Sequence, residues 1–182
     1  MLFGVSGCGK TTVLRSAAGL EKAQGYVRIA GQVWQDDEKH LFVPTYKRRI
    51  GYVFQEASLF DHLNVRENLR FGLKRISDED GEKRLDDAVE LLGIGHLLER
   101  RTSELSGGER QRCAIARSLA IKPTALFMDE PLAALDHARR LEIVPWIDRL
   151  KKELNLPILY VTHSEEEVMR LADRLAVIDN GK

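Results

Sequence analysis

Residues 4–11 read GVSGCGKT, running from Gly4 through Val5, Ser6, Gly7, Cys8, Gly9 and Lys10 to Thr11. The spacing fits a phosphate-binding loop, G-x-x-x-x-G-K-[ST], which a buried strand delivers and a helix begins beneath. Glycines at 4, 7 and 9 let the backbone curl so that successive N–H groups face one concave site for phosphate oxygens. A helix starting near Gly9 adds the positive end of its dipole. Lys10 then supplies a point charge for terminal phosphates. The hydroxyl of Thr11, followed by Thr12, is a hard oxygen suited to Mg²⁺. Only Met1, Leu2 and Phe3 precede the loop, barely half a typical strand.

Working outward, the length of 182 residues makes one domain the default. Lysine plus arginine number 28 and aspartate plus glutamate 28, so bulk electrostatics argue against a nucleic-acid partner. Within that balance the run Lys47-Arg48-Arg49 reads as a solvated rim rather than a binding patch. No stretch approaches the roughly 18 apolar residues of a membrane helix, and no signal-peptide pattern opens the chain. The expectation is therefore a cytoplasmic chain, able to sit against a membrane partner. Two cysteines, Cys8 and Cys113, make no disulfide framework.

Periodicity then places the elements. Lys10 to Ala18 reads as a helix ended by Gly19, and Tyr26–Ile29 and Arg48–Phe54 read as strands. Apolar residues three and four apart mark helices over Val65–Phe71, Glu82–Leu92 and Glu109–Leu119. Ala125–Met128 is a continuous apolar run, as in a strand covered on both faces. Asp136 caps a helix to about Leu154, with Pro145 inside it and a kink expected there. Ile158–Val161, Glu165–Leu171 and Leu175–Ile178 read as strand, helix and strand. The alternation, interrupted by an all-helical insert, predicts a parallel α/β core carrying a helical subdomain.

Two further stretches carry chemistry. Asp129 ends the apolar strand and can hold Mg²⁺, while Glu130 can act as general base on an attacking water. Leu105-Ser106-Gly107-Gly108-Glu109 offers a serine hydroxyl, two glycine amides and a helix start, a second anion cradle. The same residues also read as a capping box, Ser106 with Glu109. Two phosphate-binding devices in one chain suggest copies meeting head to tail, each cradle closing on the partner's nucleotide. Cys8 reads either as a thiol activated in an amide nest or, preferably, as a small residue at a free position. Cys113 reads as packing.

These motifs together resemble the nucleotide-binding subunit of ABC transporters, from Gly4 to Lys182 and in the family's order. The resemblance implies a P-loop NTPase core with a mainly parallel sheet, RecA-like over 1–57 and 123–182, with the helical signature subdomain over 58–122. It implies ATP and Mg²⁺ as ligands, Gly4–Thr11 as Walker A and Gln55 as the Q-loop glutamine near the metal. It makes Leu105–Glu109 the signature, Phe127-Met128-Asp129 the end of Walker B and Leu135-Asp136 the D-loop. Glu130 becomes the catalytic glutamate and His163 the switch histidine holding the γ-phosphate.

Within the family the wording "KRRIGYVFQEASLFDHLNVRENLRFG" (47–72), "LLGIGHLLER" (91–100), "DEPLAALDHARRLEIVPWIDRL" (129–150) and "LPILYVTHS" (156–164) is most similar to the ATPase of bacterial molybdate importers. Sulfate, sugar and iron importers share much of it. By this resemblance the partners are a second copy, membrane permease subunits met through 59–71 and, indirectly, a periplasmic binding protein. The place is the cytoplasmic face of the cell membrane. Relatives carry strands and an adenine-stacking aromatic before Walker A, so the chain reads as truncated at both ends. A nucleotide-binding fragment without catalysis stays open. A DNA-repair-type ATPase would carry a long coiled coil between Gln55 and Ser106, and a kinase or GTPase would lack Leu105–Glu109.

Overall fold

Strand β1 (Leu2–Phe3) is only two residues long, yet it lies inside a sheet. In this computed structural model, which describes residues 1–73, 80–154, 156–179 and 181, five strands pair in the order β5-β6-β7-β1-β8. They are β5 (Ile50–Val53), β6 (Ala125–Asp129), β7 (Ile158–Thr162), β1 and β8 (Ala176–Val177), and all four pairings are parallel. Leu2 stands opposite Val161 on one side and Ala176 on the other. Ladders on both sides hold so short a strand in place.

The period of two sorts β6 between two cores. Leu126 and Met128 join Leu69, Leu85, Leu92 and Ile115 in one cluster, while Ala125 and Phe127 join Leu14, Trp34 and Val161 in another. Every residue of β6 is buried, as its unbroken apolar run predicts. The first cluster is closed by helices α2 (Val65–Arg70), α3 (Gly81–Leu92) and α4 (Gly107–Ala120), which pack on one another, and by α5 (His137–Glu153). Helix α1 (Lys10–Ala18) covers the second, and α6 (Glu165–Leu171) packs on α5.

Helix boundaries follow the expected signals within two residues. Gly19 ends α1 in the left-handed conformation (φ 78°), and Asp136 caps α5 by accepting from the Arg139 N–H. Helix α5 runs through Pro145 without interruption. Pro145 and Leu141 both lie on its exposed face, where water can serve the carbonyl that proline leaves unpaired.

Two strands were not expected. Strands β3 (Gln32–Asp36) and β4 (Leu41–Phe42) join β2 (Tyr26–Ile29) in a separate antiparallel sheet. Val27 pairs with Gln35 and Arg28 with Val33, so one extra residue, Trp34, stands in β3, and Trp34, Gln35 and Asp36 are buried in succession where a strand would alternate.

The expectation of a solvated rim at 47–49 fails for Arg48, which is 4% exposed. Its guanidinium donates to Val43 O (2.7 Å), Ala17 O (2.7 Å), Ser16 O (3.3 Å) and Trp34 O (3.4 Å). It also lies 5.0 Å from the Phe42 ring centroid and 5.8 Å from that of Trp34. Five donors in a fork can satisfy the orphan carbonyls ending α1 and reach the antiparallel sheet at once. Gly19 makes room, since a Cβ there would stand 2.6 Å from Arg48 Cζ. Lys47 and Arg49 are exposed, as expected.

Arg48→Met should therefore lower stability by about 2–4 kcal/mol, or roughly 10 °C in Tm. Arg48→Lys should recover less than half of that, because one ammonium cannot serve separated carbonyls. Thermal unfolding followed by circular dichroism measures both.

Candidate functional site

Parallel strands open their carboxyl ends on one edge of the sheet, and here that edge collects the chemistry. The loop 4–9 follows β1, Gln55 follows β5, Asp129 and Glu130 end and follow β6, and His163 follows β7. Gly7 (φ 84°) and Gly9 (φ 104°) are left-handed. A Cβ at either would meet nothing within 4 Å, so backbone conformation rather than crowding calls for glycine. Val5 is exposed on the loop.

Lys10 is 3% exposed, and its Nζ donates to Gly4 O (2.8 Å) and Val5 O (2.9 Å). The same nitrogen lies 3.5 Å from Glu130 Oε1, and Glu130 Oε2 lies 3.0 Å from His163 Nδ1. Lysine, glutamate and histidine thus form one line across the cleft. Glu130 holds its place in a left-handed conformation (φ 45°) that costs a non-glycine residue about 1–2 kcal/mol. Its N–H donates to Val161 O (3.1 Å), which fixes the turn leaving β6.

Beside this line, Thr11 Oγ1 donates to Asp129 Oδ1 (2.7 Å), and the Tyr52 hydroxyl donates to Asp129 Oδ2 (3.1 Å). Tyr52 went unnoticed in the sequence. Its signal was its place on β5, opposite Phe127 of β6. Burial first, and then the Asp129 charge, push the Tyr52 hydroxyl far above its ordinary range, so it stays protonated and donating.

Ser6, Gly7, Gly9, Lys10, Thr11, Thr12, Gln55 and Glu130 line a cleft of about 340 Å³. A larger groove of about 520 Å³, between α5, β7 and Met1, contains none of these groups. Among the described residues no three or more His, Cys, Asp or Glu gather to hold a metal. A divalent cation here would take the Thr11 hydroxyl, the Asp129 carboxylate and the Gln55 amide, all hard oxygens, and draw its other ligands from phosphate.

Ser106, Gly107 and Gly108 are not part of this cleft. Ser106 caps α4: the Glu109 N–H donates to Ser106 Oγ (3.3 Å), and the Ser106 N–H to Glu109 Oε2 (2.7 Å). That backbone donor is the chief reason the Glu109 carboxyl stays below its usual range. Cys8 is 7% exposed with its sulfur 4.0 Å from Lys10 Nζ, a packed residue rather than a presented thiol. Cys113 is fully buried, and burial pushes its thiol up to about 12.

The family model described as ABC transporter matches residues 1–133. The molybdenum import ATP-binding proteins ModC of Pseudomonas syringae pv. tomato and of Thiobacillus denitrificans are each 59% identical over 182 residues. These alignments cover 100% of this chain and 50% of each relative, so the chain spans about half the length of the curated relatives it matches. The solved structure of CbiO1 from Clostridium perfringens, part of the ABC transporter complex CbiONQ, superposes with a TM-score of 0.85 at 31% identity. That superposition covers 99% of this chain and 72% of the other. With the sheet, the loop and the convergence of Gln55, Asp129, Glu130 and His163 on one edge, these matches carry one conclusion: the chain belongs to the ABC transporter family.

Proposed function

We propose that the chain binds ATP with Mg²⁺ and hydrolyses it to energise an importer, most similar in wording to those for molybdate. The observation that carries the reading is the line Lys10–Glu130–His163 beside the Thr11–Asp129 pair at the mouth of the loop. The relatives named for molybdenum import support the substrate class. In this reading 1–57 and 123–182 form the RecA-like core and 58–122 the helical subdomain.

The chemistry follows from the residues. Loop amides and Lys10 would receive the β- and γ-phosphates, with phosphate oxygens replacing the carbonyls of Gly4 and Val5 around the ammonium. Thr11, Asp129 and Gln55 would hold Mg²⁺, which supplies charge neutralisation on the transferring phosphoryl group. Glu130 would orient the attacking water and accept its proton. His163 would set the Glu130 carboxylate and face the charge developing on the γ-phosphate.

Ser106, Gly107 and Gly108 do not line their own chain's cleft, and a second copy placed head to tail would use them on this chain's nucleotide. Binding then closes the dimer, a differential interaction that a switch requires. The segment 59–71 would pass the motion to permease subunits, themselves fed by a periplasmic binding protein. In this reading the chain is a peripheral subunit at the cytoplasmic face of the cell membrane; among the described residues no helix is long and apolar enough to cross a membrane.

Glu130→Gln should lower Mg²⁺-dependent ATP turnover by about 10²–10³-fold and leave ATP affinity within about threefold. A release assay for phosphate, run beside equilibrium binding, measures the two. Unchanged turnover would remove Glu130 from the mechanism. The head-to-tail dimer is tested by mixing Lys10→Ala with Ser106→Arg, each inactive alone. Random pairing leaves one intact composite site in half of the dimers, so up to about a quarter of wild-type turnover should return. No recovery would contradict the shared site. Molybdate-stimulated turnover in the membrane assembly, absent with sulfate, tests the substrate class.

A further inference from the structure

Helix α6 begins Ser164-Glu165-Glu166-Glu167, which reads as a capping box, S-x-x-E. Among the described residues two other α-helices use that arrangement in full: Asn64 with Glu67 at α2, and Ser106 with Glu109 at α4. In each, the glutamate reaches back to the N–H of its own cap residue. At α6 it does not. The Glu167 N–H still donates to Ser164 Oγ (3.4 Å), but the carboxylate turns inward to the sheet.

There Glu167 Oε2 accepts from the Tyr160 hydroxyl (2.8 Å) and from Thr162 Oγ1 (2.8 Å). The Ser164 N–H, left by the glutamate, donates instead to Thr162 Oγ1 (3.0 Å). Tyr160, Thr162 and Glu167 are 2%, 2% and 4% exposed. A carboxylate this dry costs free energy that an apolar residue would not, and its partners are hydroxyls rather than a cation. The capping job available to it at the surface is done by Thr162. What the inward turn accomplishes is a weld between the carboxyl end of β7 and the first turn of α6.

His163 is the residue inside that weld. Thr162 before it and Ser164 after it are both fastened, directly or through one hydroxyl, to Glu167. Its ring is 42% exposed and meets Glu130 Oε2 at 3.0 Å. A side chain so open has little packing of its own to aim it, so its direction depends on where the backbone is pinned.

We propose that Glu167 is a positioning residue for His163: the Tyr160–Glu167–Thr162 cluster sets the backbone on both sides of the histidine and so aims the imidazole at Glu130. The inference rests on the proposed hydrolysis only for its catalytic consequence. The aiming itself is independent of turnover.

The test has two readouts on Glu167→Ala, His163→Ala and the double variant. The first is kcat: Glu167→Ala should lower it by about tenfold or more with KM within about threefold, and should lower it no further in a His163→Ala background. A merely structural role would add to the histidine loss. The second is NMR of the His163 ring. Glu130→Gln should shift the ring resonances in the wild-type chain, and that response should vanish in Glu167→Ala. Thr162→Val, which removes one donor and keeps the carboxylate, serves the same cycle if Glu167→Ala does not fold. Thr162→Ser should restore the wild-type response.

Additive kcat losses, or a His163 ring that still senses Glu130 in the Glu167 and Thr162 variants, would overturn the proposal. If the wild-type chain shows no turnover, the proposed function falls, and the ring measurement still decides the role of Glu167.

Discussion

A dry ammonium has to be answered by something negative, and the 3%-exposed Lys10 is the demand around which this molecule is arranged. Two carbonyls of its own loop and Glu130 answer it. At 3.5 Å and an effective dielectric near 20, the pair with Glu130 gains about 5 kcal/mol gross, most of which desolvation offsets. Such a near balance suits a site that must exchange partners. Phosphate oxygens can replace the loop carbonyls without leaving the charge stranded. The carboxylate then released from Lys10 is free to turn to water while His163 still holds its other oxygen.

The sheet makes this economical. Four parallel strands deliver the loop, Gln55, the two acids and the histidine to one edge, so stretches far apart in sequence meet without any long connection reaching over the site. Alternation along β6 fastens that edge to both cores at once. On the far side, Arg48 ties the end of α1 to the antiparallel sheet through backbone carbonyls and the faces of Phe42 and Trp34. The helix that carries Lys10 and Thr11 is thereby anchored at the end away from the loop 4–9.

Much of this was legible in the sequence where one physical cause dominated. The loop, the buried run 125–128, the caps at Asp136 and Ser106 and the helical faces over 65–71, 82–92 and 109–119 each rest on a local pattern, and each lies where it was expected. What stayed hidden depends on partners distant in sequence. Arg48 looks like its exposed neighbours until the carbonyls of Ser16, Ala17, Trp34 and Val43 surround it. β3 is masked by the extra residue Trp34, which breaks its alternation, and β4 is only two residues long. Tyr52 becomes a donor to Asp129 only through strand register, and the left-handed Glu130 breaks a local rule at the position proposed for the general base. Glu167 is the sharpest case, because its local signal predicts a surface cap and the fold uses it as a buried acceptor.

The central claim is that Lys10 trades its loop carbonyls and Glu130 for the phosphates of a magnesium nucleotide. Calorimetric titration of the chain with MgATP, beside Lys10→Ala, tests it most directly. The account predicts saturable one-to-one binding that weakens by about tenfold or more, some 1.4 kcal/mol or above, when the ammonium is removed. Equal affinity in the two proteins, or no binding by a folded wild-type chain, would contradict it.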